Sequence, residues 1–190
     1  MRIIIKVILF GVLLLALACQ STPTPKPRGY FRINFPEKEY RLYDSACPYS
    51  FEYPVYGKIE YVQSSIAEPC WFNINFSGYN AKLHLTYKQL NNNLATHIED
   101  VRMLVYKHII KADDIEENII IGPAKKVYGI IYNLKGNTAS STTFFVTDST
   151  EHFLMGSLYF ASIPNKDSLE PAIRFFQEDV VHLTKSISWK

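Results

Sequence analysis

The apolar positions of this chain change their period several times, and each change predicts an element. Phe72, Ile74 and Phe76 alternate with polar residues, and after Ser77-Gly78 the alternation resumes with Leu83, Leu85 and Tyr87 set against Lys82, His84, Thr86 and Lys88. A period of two sends the two sets to opposite faces of a strand, so 70–76 and 81–88 predict an antiparallel hairpin with one wet face. The period then lengthens. Leu94, Ile98, Val101, Val105 and Ile109 recur at steps of three and four, predicting an amphipathic helix over 93–111 with Asn93 as its N-cap. Lys107, His108 and Lys111 close it where the helix dipole favours positive charge. Short strands are predicted earlier at 30–35, 49–53 and 58–63. Later ones fall at 118–121, 127–134, 142–147 and 152–161, the last two forming a hairpin through Asp148-Ser149-Thr150. Leu169, Ile173, Phe176, Val180, Leu183 and Ile187 mark a second amphipathic helix, opened by a capping box with Asp167 as N-cap and Glu170 at N3. Strands followed by a helix, twice over, predict an α+β domain over 29–190: a mostly antiparallel sheet with two long amphipathic helices packed on it.

The first residues follow neither period. Arg2 and Lys6 give a positive start, and Val7 to Ala18 is apolar apart from Gly11. About 12 apolar residues fall short of the roughly 20 that a membrane-spanning helix needs, so 1–18 reads as a signal peptide. The junction Ala16-Leu17-Ala18-Cys19 resembles a bacterial lipobox, in which the Cys receives lipid and becomes the new N-terminus. Ala18 and Cys19 match that pattern; Ala16 and Leu17 match it less well, and the other reading is an ordinary signal peptide ending in Ala-Leu-Ala. An acylated Cys19 anchors the chain to a membrane surface. The stretch 19–28, with its prolines at 23, 25 and 27, reads as an extended tether.

Composition sharpens this. With 47% apolar and 14% aromatic residues, the chain cannot be disordered throughout. Its 190 residues suit one ordinary domain. The formal charge is only +2, which excludes the dense Lys/Arg stripe of a nucleic-acid binder. Both bases of that excess lie in 1–18; without Arg2 and Lys6, 18 bases face 18 acids. The three cysteines divide in the same way. Cys19 is the lipid acceptor, and Cys47 and Cys70 remain as a pair that an oxidising compartment joins. A loop of that length is worth about 3 kcal/mol in the chain-entropy model. The alternative, a metal site, needs more His and Cys at short spacing than this region has.

Catalytic chemistry finds little support. His97 and His108 lie about 16 Å apart along one predicted helix, and His84, His152 and His182 have no metal-binding spacing. No metal or cofactor is expected. Asp148-Ser149-Thr150 with His152 gathers hydrolase residue types, but Asp, Ser and Thr favour a hairpin turn at this place. Asp113-Asp114 and Glu116-Glu117 read as solvated acids in a loop. Seven tyrosines crowd the stretch from Tyr30 to Tyr61. They read as strand composition or, more sharply, as an amphipathic face for a glycan or peptide.

Several segments, taken in order, resemble the gliding motility lipoprotein GldD family of Bacteroidetes-type bacteria. They include Pro25-Lys26-Pro27-Arg28-Gly29-Tyr30, Cys47-Pro48-Tyr49-Ser50-Phe51, Cys70-Trp71-Phe72-Asn73-Ile74, Leu85-Thr86-Tyr87-Lys88, Asn91-Asn92-Asn93-Leu94, Tyr106-Lys107-His108 and Gly156-Ser157-Leu158-Tyr159-Phe160. The resemblance implies a non-enzymatic envelope lipoprotein of the gliding machinery and its type IX secretion system, with other envelope proteins as partners. It supplies no catalytic residues. Gln20 after the lipid Cys leans towards the outer membrane, and the lack of acids there towards the periplasmic side. Asp44-Ser45-Ala46 resembles the O-glycosylation acceptor pattern of these bacteria, which makes Ser45 a candidate modification site. Asp148-Ser149-Thr150 and Asp167-Ser168-Leu169 resemble it less.

Overall fold

A computed structural model describes residues 33–63, 67–162 and 165–190, together with Met1. The signal segment, Cys19 and the tether therefore lie outside the described residues. Ten strands and two helices follow in chain order: β1 (Tyr40–Tyr43), β2 (Tyr49–Pro54), β3 (Lys58–Tyr61), β4 (Phe72–Phe76), β5 (Ala81–Gln89), α1 (Leu94–Tyr106), β6 (Ala112–Gly122), β7 (Val127–Gly136), β8 (Ser140–Thr147), β9 (His152–Phe160), α2 (Lys166–Ser186) and β10 (Ser188–Trp189). Seven strands make one sheet in the order β3-β4-β5-β9-β8-β7-β6, and β1-β2-β10 make a second. Every neighbouring pair is antiparallel. The class is therefore α+β with a mostly antiparallel sheet and two helices.

Period-two alternation divides the large sheet between two cores. Phe144 and Val146 of β8 with Leu154 and Leu158 of β9 face one side, where they meet Tyr49 and Phe51 of β2 and Phe176, Val180 and Leu183 of α2. The intervening Phe145 and Phe153, with Tyr132 and Leu134 of β7, face the other side and meet Val101 and Val105 of α1. The small sheet and α2 thus cover one face, and α1 covers part of the other. Where α1 does not reach, the second face of β5 is wet: His84 is exposed while Leu83 and Leu85 are buried. Gly156 makes room for this arrangement. A Cβ built there would come within 2.3 Å of the Phe144 ring, which lies across the strand.

Four expectations are corrected. The first helix has 13 residues and stops at Tyr106 rather than 111. The chain must reverse to enter β6, and it does so through tight i→i+3 bonds from His108 N–H to Val105 O (3.0 Å) and Ile109 N–H to Tyr106 O (3.1 Å). Ile109, predicted on the buried stripe, is 58% exposed. The acids at 113–117 are not in a loop but in the eleven-residue strand β6; an edge strand can carry charge on both faces, so no alternation announces it. The helix α2 opens two residues earlier than Asp167 implies, because Asn165 is its N-cap and accepts from Ser168 N–H (3.2 Å). Glu170 instead pairs with Arg174 (2.7 Å). No strand occupies 33–35, and residues 30–32 lie outside the described part.

Candidate functional site

Cys47 and Cys70 are joined by a disulfide, with Cα atoms 5.7 Å apart. It ties the β1–β2 turn to the entry of β4. Tyr49 reinforces the tie by donating its hydroxyl to Cys70 O (2.8 Å). Ser45 lies beside it: its Oγ donates to the Tyr43 hydroxyl (3.0 Å) and accepts from Cys47 N–H (3.2 Å). Asp44, next in line, receives Lys190 Nζ (2.5 Å).

The histidines are spread over separate sites. His84 meets Tyr159 edge-on, and His97 packs on Phe153. His182 bonds Glu52 (2.7 Å) and stacks on Tyr40. His152 Nδ1 and the Tyr87 hydroxyl share a hydrogen bond (2.8 Å), and the ring stacks on Trp189. Register sets His84 against Ser157 and His152 against Gln89, so these two lie far apart on adjacent strands. Among the described residues no group of three or more His, Cys, Asp or Glu is placed to hold a metal ion.

The Asp148-Ser149-Thr150 segment is a turn. Asp148 Oδ1 accepts from the N–H groups of Thr150 (3.0 Å), Glu151 (2.9 Å) and His152 (2.8 Å), and Oδ2 from the Thr150 hydroxyl (2.9 Å). Burial works against the charge, but these donors outweigh it and hold the carboxyl at about 2. All four of these bonds close the turn itself, and none of them reaches the His152 ring.

The most demanding polar cluster had no sequence signal at all. Asp179 of α2 is 4% exposed. Its Oδ1 accepts from Lys38 Nζ (2.7 Å) and the Tyr40 hydroxyl (2.9 Å), and its Oδ2 from the Tyr56 hydroxyl (2.6 Å). Lys38 also donates to Phe175 O and lies 3.4 Å from the centre of the Phe175 ring. Burial and then the Asp179 carboxylate push both tyrosines well above the ordinary phenol range. This is a clamp: it fastens the segment entering β1 to α2.

Three of the clustered tyrosines are core. Tyr43, Tyr49 and Tyr53 are buried between the small and large sheets, Tyr40 and Tyr56 are half-buried, and Tyr61 is exposed. The open apolar surface lies elsewhere, on β6. Ile119 and Ile121 are 74% and 72% exposed, on the outermost strand of the large sheet. A cleft of about 310 Å³ runs from them to Leu94 and Ile98 of α1. On the other face of the strand, Ile120 and Val181 line a second cleft of about 460 Å³. An edge strand flanked by apolar clefts can take an added strand, with backbone bonds supplying affinity and the clefts receiving alternate side chains.

The described residues form a layered α+β domain whose open sheet edge offers a surface for binding or assembly. The model of the gliding motility lipoprotein GldD family matches residues 20–189, and the chain belongs to that family. Membership places it among the membrane-anchored lipoproteins of the cell envelope. No curated protein matches it. Among solved structures, the solution structure of cyanobacterial PsbP (CyanoP) from Synechocystis sp. PCC 6803 is similar at 13% identity and a TM-score of 0.49, covering 87% of this chain and 100% of that one. Among the described residues no helix is long and apolar enough to cross a membrane.

Proposed function

We propose that this chain is a non-enzymatic envelope lipoprotein, held by acylated Cys19, that serves gliding motility and the associated type IX secretion machinery as an assembly component. The observation that carries this reading is the family match over 20–189. The domain faces the periplasm, and the residues after Cys19 favour the outer membrane. Its partners are other envelope proteins of the same machinery, and the β6 edge supplies a surface where an extended segment of such a partner could add to the sheet. The runner-up, a periplasmic module presenting tyrosines to a glycan or peptide, is weakened by the burial of Tyr43, Tyr49 and Tyr53. Ser45 remains the candidate O-glycosylation site, which intact mass of the native protein tests.

A clean deletion should abolish spreading on surfaces and secretion through the type IX system. Restoration should require Cys19, so Cys19→Ala should fail to complement although the protein is made. Normal spreading and secretion in the deletion strain would overturn the reading.

A further inference from the structure

The turn between α1 and β6 reads Lys107-His108-Ile109-Ile110-Lys111. Ile110 is 90% exposed and Ile109 58%, although either could have been tucked under α1 by one more helical turn. Met103 and Tyr106, one turn back on the same side of α1, are exposed as well. Lys107 and Lys111 flank the two isoleucines. Both are exposed. Acids are near: Asp113 and Asp114 follow on β6. Asp114 and Glu116 are answered by Lys135 of β7 (2.9 and 3.4 Å), and Glu117 accepts from the Tyr106 hydroxyl (2.9 Å). The two lysines of the turn are exposed to solvent beside a bare apolar tip.

The position of this tip in the fold shows what it meets. Ala112 pairs with Gly136, Ser140 with Tyr159, and Phe160 with Ala81, so the start of β6 and the start of β5 lie at one end of the large sheet. The N-terminal segment reaches that same end. Tyr79, just before β5, donates its hydroxyl to Asn34 O (3.1 Å), and Phe35 stacks on Tyr79. The chain that leads back to Cys19 therefore leaves the domain on the side where the tip projects. Four strand spacings separate β5 from β6, about 19 Å. Thirteen residues lie between Cys19 and Ile33, a reach of at most about 45 Å. One flat surface can hold the lipid and meet the tip.

We infer that Ile109 and Ile110 dip into the interface of an anionic bilayer, with Lys107 and Lys111 at its headgroups, as a second membrane contact that sets the orientation of the domain. Apolar side chains between cations are the composition that binds this interface, each by its own term: apolar burial and attraction to anionic lipid. The inference rests on the lipoprotein reading, since acylated Cys19 brings the surface within reach.

The test uses the full acylated chain in vesicles of phosphatidylcholine, with or without phosphatidylglycerol. Ile110→Trp and Ile121→Trp each add one indole to the native Trp71 and Trp189, the second at the far end of β6, about 34 Å away. Acyl-brominated lipid should quench and blue-shift the added emission of Ile110→Trp and leave that of Ile121→Trp unchanged. Phosphatidylglycerol should deepen the quenching. In the Ile110→Trp background, Lys107→Gln and Lys111→Gln should each weaken tip insertion by about fivefold. Vesicle flotation is read in parallel. A chain that floats while Ile110→Trp stays unquenched, or is quenched no more than Ile121→Trp, overturns this inference alone and leaves the tip to a protein partner. A chain that does not float, with an unmodified Cys19 by mass, overturns the lipoprotein reading and this inference with it.

Discussion

Replacing Asp179 tests the clamp that joins the segment entering β1 to α2. The carboxylate is almost wholly buried and accepts three donors at 2.6–2.9 Å. Asp179→Ala leaves two phenol hydroxyls and a part-buried ammonium without that acceptor. Lys38 keeps Phe175 O and the Phe175 ring, so part of its loss is offset. Removing one partner of a buried charge pair costs about 3–5 kcal/mol, and this substitution should lie in that range. Asp179→Asn keeps the shape and one carbonyl oxygen. It can still serve Lys38 and Tyr40 but loses the acceptor for Tyr56, so about 2 kcal/mol is expected. The assay is urea unfolding followed by far-UV circular dichroism, with the slope held unchanged so that the midpoint reports stability. A cycle with Tyr56→Phe should return a coupling of at least about 1 kcal/mol, because the two groups are in direct contact. If Asp179→Ala moved stability by less than about 1 kcal/mol, the clamp would not be a determinant of the fold. The sign with pH follows from the same geometry. The folded state holds the Tyr40 and Tyr56 protons more tightly than the unfolded chain does. That stability is complete below about pH 10 and is lost as pH rises beyond it.

Three further outcomes are expected. Cys47→Ala with Cys70→Ala should cost about 3 kcal/mol; equal denaturation midpoints for this variant and the native protein would refute the loop-closure account. Asp148 is depressed to about 2 in the folded state, so its contribution is present above its unfolded value near 4 and lost as pH falls towards 2. Asp148→Asn should cost about 1 kcal/mol at neutral pH, the group being partly in water, and flatten stability between those pH values; acid titrations of unchanged slope would contradict it. Gly156→Ala should press on the Phe144 ring and lower stability by about 1–3 kcal/mol, seen as a drop in melting temperature, whereas an unchanged melting temperature would mean that the ring can move aside.

Periodicity located most elements because burial imposes it. The strands β2, β4, β5, β7, β8 and β9 are central or covered, and their alternating residues meet different layers. The misses share the opposite cause. Strand β6 is an edge, β1 and β10 are short, and the turn at 107–111 exposes apolar residues that a helix would have hidden. None of these has to alternate. Likewise the Asp148 turn was readable, since its partners are two to four residues away, while the Asp179 clamp was not, since Lys38 is 141 residues distant.

The sequence by itself determined the α+β class, the neutral charge of the chain after Cys19, the pairing expectation for Cys47 and Cys70, and the ordered segments that mark its family. These follow from local chemistry: period, charge and residue type are properties of neighbours along the chain. Only the tertiary structure decided that Tyr43, Tyr49 and Tyr53 are core rather than surface, that β6 is an open edge, that Asp179 locks the entering chain to α2, and that Ile109 and Ile110 project at the end of the sheet where that chain leaves. Each depends on strand order and on which faces become covered, and these are set by contacts between residues far apart in sequence.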